Sequence, residues 1–197
     1  AADMIKAARK PLIVAGGGTA GHVFPGLAIA RVLLEQDADR ALFVGTARGL
    51  EATLIPRENL PFEAVRGAGA VGKNPLKALA ACWETWQGFR QARRILRREK
   101  PRLVLGVGGY ASLPMTLAAR FEKIPVAVQE CNVAPGVANR IAARWAAEIL
   151  LPFDEARRAF KGRGVVTGNP VREDVVAKAG ELRARPRDQR PFSVLVF

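Results

Sequence analysis

The chain reads as an α/β protein, a Rossmann-like parallel sheet with helices on both faces. Three observations predict this. Short apolar runs alternate with helix-length segments along most of the sequence. The runs tend to end in glycine or a small polar residue. The first turn is a glycine loop, GGGTAGHVFPG over residues 16–26, placed between an apolar run and a helical pattern.

Taken in order, PLIVA (11–15) is the first strand. Val23, Leu27, Ala30 and Leu34 then recur at helical spacing. ALFV (41–44) is a second strand, 49–56 a short helix and 62–65 a third strand. A basic loop with four glycines, RGAGAVGKNP (66–75), follows. Residues 76–100 lack proline and read as one long helix, with a bend expected at Gly88, ended by Pro101. LVLGV (103–107), PVAV (125–128), 149–151 and GVVT (164–167) continue the strands, with helices at 113–121 and 136–145. Residues 175–179 are a further helical stretch. The run FSVLVF (192–197) reads as the first strand of a second domain, the alternative being a final edge strand of the first.

Composition narrows the partners. A formal charge of +13 over 197 residues points to an anion: nucleic acid, an anionic membrane surface or a phosphorylated substrate. An arginine-rich solvated surface is the plain alternative. Two cysteines, Cys82 and Cys131, are too few for a disulfide framework and lack metal-ligand spacing, so both are expected to be buried thiols and no metal or cofactor is expected. No run approaches the ~18 apolar residues of a membrane span.

Residues 16–22, 108–110, 129–132 and 168–172 each follow the carboxyl end of an expected strand, the edge where open α/β sheets bind ligands. Glycines and a helix N-terminus make phosphate the first guess there. Gly16, Gly18 and Gly21 satisfy GxGxxG, but the acid that a dinucleotide fold places after its second strand is replaced by Gly45 and Thr46. A P-loop would need lysine where His22 stands. His22, the only histidine, lies where a helix N-terminus favours the neutral ring, suited to a general base or to a packing role. Glu130 fits a base, a sugar ligand or a cap, and Tyr110 a sugar contact or packing. In the long helix, Leu76, Leu79, Trp83, Trp86 and Phe89 form a stripe beside Lys77 and Arg90. That pattern fits membrane-surface contact, core packing or a mixture of the two.

Four motifs in this order, GGGTAGHVFPGLAIA, GVGGYAS (106–112), QECNVAPG (129–136) and TGNPVR (167–172), resemble the MurG family of bacterial N-acetylglucosaminyltransferases. The resemblance runs from about residue 12 to 197. It implies the N-terminal half of a GT-B glycosyltransferase: residues 1–170 an acceptor-binding domain, 171–197 a linker and the opening of a truncated donor-binding domain. The implied activity is inverting transfer of GlcNAc from UDP-GlcNAc to the MurNAc 4-hydroxyl of lipid I, giving lipid II, with this chain inactive alone. By resemblance His22 is the base and Glu130 supports it or handles acceptor. Thr19, Ala20, Gly21, Asn132 and Arg172 face the donor, and Gly18, Tyr110, Lys73 and Asn169 the acceptor. The implied location is peripheral, on the cytoplasmic face of the inner membrane, and nucleic acid is not expected. The chain departs from the family pattern at Ala20, Gln129 and Cys131. Other classes that fit are a non-catalytic membrane-recruiting subunit and a basic nucleotide-binding module.

Overall fold

The computed structural model describes residues 10–37, 40–68 and 75–184. The elements are β1 (Leu12–Gly16), α1 (Ala20–Asp37), β2 (Ala41–Gly45), α2 (Glu51–Arg57), β3 (Phe62–Ala64), α3 (Pro75–Glu99) and β4 (Leu103–Gly108). They continue with α4 (Ser112–Phe121), β5 (Val126–Gln129), α5 (Val137–Ala142), β6 (Glu148–Leu151), a 3-10 turn (Asp154–Phe160), β7 (Val165–Val166) and α6 (Glu173–Ala184). The expected second-domain strand at 192–197 lies outside the described residues.

The seven strands form one sheet in the order β3-β2-β1-β4-β5-β6-β7, and every pairing is parallel. The sequence-predicted class is therefore the observed one. A parallel sheet must bury both faces, and the strands divide their residues accordingly. Ile13 and Ala15 of β1 and Leu42 and Val44 of β2 enter the core built with α3, α4 and α5. Leu12, Val14, Ala41 and Phe43 enter the opposite core under α1 and α2. The chain runs outward from β1 to β3, returns along α3, and runs outward again from β4 to β7. The reversal leaves a switch point between β1 and β4, the crevice where such sheets bind ligands.

α3 is one helix through Gly88, as expected, and a Cβ there would lie 1.8 Å from the Arg66 carbonyl oxygen. Glycine thus lets the chain leaving β3 pass against the helix. The stripe on α3 is the mixture of core and surface that its pattern allowed. Phe89 packs on the core and meets Phe121 edge-on at 5.4 Å, whereas Leu79, Trp83 and Trp86 are 70%, 56% and 45% exposed. Arg93 and Arg97 reach Glu122 just beyond α4 and hold its carboxyl below the usual carboxylate range, tying the two helices together.

Candidate active site at the carboxyl edge of the sheet

The loops expected to share one edge do meet there. Gly17 donates its N–H to the Gly108 carbonyl at 3.1 Å, joining the turns after β1 and β4 backbone to backbone. A Cβ on Gly109 would stand 2.0 Å from the Gly17 oxygen, and Gly17, Gly108 and Gly109 all have positive φ. Only glycine permits both the conformation and the approach.

His22 sits in the first turn of α1, half-buried at the switch point. Its Nδ1 is 3.0 Å from Thr19 Oγ1. Its other edge lies over Gly108, where a Cβ would be 2.8 Å from Nε2 and 3.5 Å from Asn139 Nδ2. Asn139 is buried and gives Nδ2 to the Gln129 carbonyl and to Glu130 Oε2, both at 3.0 Å. Two acceptors on one nitrogen fix the amide orientation and leave Asn139 Oδ1 buried without a donor among the described residues.

Glu130 is buried and fully engaged. Oε1 accepts from the N–H groups of Cys131 and Asn132, both at 2.9 Å, and from Asn132 Nδ2 at 3.0 Å. Oε2 accepts from Gly136 N at 3.1 Å and from Asn139. These bonds wind the β5–α5 loop around the carboxylate, so the geometry is that of an organiser of the loop rather than of an open base. Asn132 stands exposed on that loop, and Asn169 donates to the Cys131 carbonyl at 3.2 Å, bringing the turn after β7 alongside.

Arg172 crosses to α1, its guanidinium 5.4 Å from the centre of the Phe24 ring and its Nε 2.9 Å from Asp174 Oδ1. Tyr110 is exposed on the β4–α4 turn. Gly18 and Gly21 are exposed, with space open around them, and Ala20 opens α1 beside Thr19. Lys73 lies outside the described residues, as do the side chains of Leu76 and Lys77. Trp83 and Trp86 stack at 4.8 Å, with the Arg90 guanidinium 5.0 Å from the Trp86 ring. A separate concavity of about 590 Å³, containing Lys10, Lys100 and Lys123, opens at the amino ends of the strands, away from His22.

Sequence reasoning missed Glu51 and Asn139. An acid at the start of α2 lies beside the first glycine loop: Glu51 is buried against Gly17, Gly45 and Gly49. Three glycines spaced around one acidic residue were the available signal. The cysteines also differ from expectation, since Cys82 is exposed and Cys131 half-buried. Burial pushes the Cys131 thiol up, and the Glu130 charge adds to the shift. Thiol-specific alkylation at neutral pH is expected to consume Cys82 well before Cys131, read by peptide mass spectrometry. Equal rates would contradict this placement.

A switch-point crevice lined by glycine turns defines a Rossmann-like domain whose ligand edge carries a histidine. The glycosyltransferase family 28 N-terminal domain matches residues 12–151, and the chain belongs to that family. A relative from Pelobacter propionicus is 46% identical over 91% of this chain and 47% of its own length. One from Myxococcus xanthus is 42% identical over 94% and 48%. Both are described as UDP-N-acetylglucosamine–N-acetylmuramyl-(pentapeptide) pyrophosphoryl-undecaprenol N-acetylglucosamine transferases. The crystal structure of Acinetobacter baumannii MurG superposes with a TM-score of 0.64 at 30% identity, covering 83% of this chain and 45% of that one. A Neisseria meningitidis UDP-GlcNAc 2-epimerase shares the fold at 16% identity and a TM-score of 0.62, over 89% of this chain and 50% of that one. The chain spans about half the length of the curated relatives it matches.

Proposed function

We propose that the full-length protein transfers GlcNAc from UDP-GlcNAc to the 4-hydroxyl of MurNAc in lipid I, inverting the anomeric centre, and that this chain carries the acceptor half. The observation that carries the reading is His22 at the switch point, braced by Thr19 and lying over Gly108. The family and the relatives' described activity support it. His22 takes the proton from the acceptor hydroxyl as that oxygen attacks the sugar carbon in line with departing UDP. Glu130 acts one step back, shaping the loop that presents Asn132 and receives Asn169. In this reading Thr19, Ala20, Gly21, Asn132 and Arg172 face the donor and Gly18, Tyr110 and Asn169 the acceptor; Lys73, outside the described residues, is assigned to the acceptor by the family resemblance alone. Residues 171–197 lead from the acceptor domain 1–170 toward the donor-binding half.

The test is transfer of labelled GlcNAc to a lipid I analogue. The full-length protein is expected to form the disaccharide product and the 197-residue chain to form none. Lack of transfer by the full-length protein refutes the reading.

The same reading puts the protein on the cytoplasmic face of the inner membrane, held peripherally. Among the described residues no helix is long and apolar enough to cross a membrane. Leu79, Trp83 and Trp86 instead present an exposed apolar surface beside Arg90. Indoles at the interface with arginine at the headgroups suit an anionic bilayer. Co-sedimentation with phosphatidylglycerol vesicles is expected to weaken on the order of tenfold on Trp83→Ala plus Trp86→Ala. Added salt should weaken it too. Binding indifferent to both changes would exclude this surface.

A further inference from the structure

The Gly18 N–H, which a phosphate in a glycine loop would seek, is already given to a protein carboxylate. Glu51 Oε2 accepts it at 2.8 Å, while Oε1 accepts the Thr46 N–H at 2.8 Å and the Thr46 hydroxyl at 2.9 Å. Glu51 is fully buried. Burying a carboxylate is costly unless its oxygens are met by donors, and here two backbone N–H groups and a hydroxyl meet them.

The surroundings are cut to this side chain. A Cβ on Gly17 would fall 2.1 Å from the carboxylate carbon, one on Gly45 2.2 Å from Cγ, and one on Gly49 2.1 Å from Oε2. Glycines from the turns after β1 and β2 thus leave a slot that the carboxylate fills. Gly18 has φ +86° and precedes Thr19, whose hydroxyl meets His22 Nδ1. An unbroken path runs from Glu51 through the Gly18 amide to Thr19 and on to His22.

We infer that Glu51 is a positioning residue, whose carboxylate fixes the glycine loop from within and so sets where Thr19 and His22 stand. A second consequence concerns the ligand. The inner side of the loop is already filled by the Glu51 carboxylate, so a diphosphate meets it only from the outer side, where Gly18 and Gly21 are open. The inference that Glu51 serves catalysis rests on the proposed role of His22; the inference that it sets the geometry of His22 does not.

Two variants probe the anchor differently. Glu51→Gln keeps the shape but offers one acceptor oxygen, so an NH2 group confronts the Gly18 N–H. Gly49→Ala keeps the carboxylate but drives a methyl group into its slot. In the full-length protein each is expected to lower kcat roughly 10- to 100-fold through misplacement of the base. In a His22→Ala background Glu51→Gln should cost less than about twofold more, since both changes act through one group. In the 197-residue chain the ring-nitrogen NMR shifts of His22, its only histidine, read the geometry without any substrate. Glu51→Gln is expected to change the Nδ1/Nε2 tautomer ratio about fivefold, the worth of one hydrogen bond, with the circular dichroism preserved. Unchanged shifts in a folded Glu51→Gln variant would overturn the proposal, as would kcat losses that multiply in the double variant. Unfolding of both variants would also overturn it, assigning Glu51 to stability alone. Absence of transfer by the wild-type full-length protein refutes the functional reading only, and the NMR result then decides Glu51.

Discussion

Replacing His22 with alanine in the full-length protein is expected to lower kcat by about 10²- to 10⁴-fold, the usual worth of a positioned general base. The structure gives reasons for an effect on turnover rather than on folding. The ring is only half-buried, so its removal opens no sealed core cavity. One edge is oriented by Thr19, and the other lies over Gly108, where any larger residue would strike Nε2. Steady-state kinetics with varied acceptor, alongside circular dichroism, checks this. An unchanged kcat would remove His22 from the proton transfer. A rise in KM alone would make it a binding group.

Glu130→Ala is expected to be the most destabilising single change among the site residues. It strands the N–H groups of Cys131, Asn132 and Gly136 and the Asn132 amide, and leaves the Asn139 amide only the Gln129 carbonyl. Unpaired buried donors cost about 1–3 kcal/mol each, and water entering the loop recovers part of that, leaving a loss of about 3 kcal/mol. For a chain of this size that corresponds to a melting temperature lower by about 6–12 °C. Glu130→Gln, which can still accept through one oxygen, should lose less. Calorimetry on the three proteins measures the difference. A melting point unmoved by Glu130→Ala would mean that the loop holds its shape without the carboxylate.

These expectations differ in how far they were visible in the sequence. His22 was legible because a lone histidine follows a glycine turn at a helix start, an arrangement that is entirely local. Glu130 was legible as a candidate but its hydrogen bonds were not, since its partners include Asn139, nine positions along and on another element. Glu51 was legible only through the glycines that make room for it. It faces Gly18 across 33 positions, a pairing that no local pattern announces. The aromatic stripe of α3 shows the same limit. Its composition suited core, surface or a mixture of the two, and only packing separated Phe89, which meets Phe121, from the exposed Trp83 and Trp86.

The sequence alone determined the alternation of strands and helices, the parallel class of the sheet, and the placing of glycine turns at one edge. Those follow from apolar periodicity and backbone freedom, which act over a few residues. Tertiary structure decided which of those turns touch, that a buried carboxylate from α2 occupies the inner side of the glycine loop, and which face of α3 stays open. These depend on strand order. With β1 beside β4, residues 17 and 108 become hydrogen-bonded neighbours, and no local pattern encodes a contact across 91 positions.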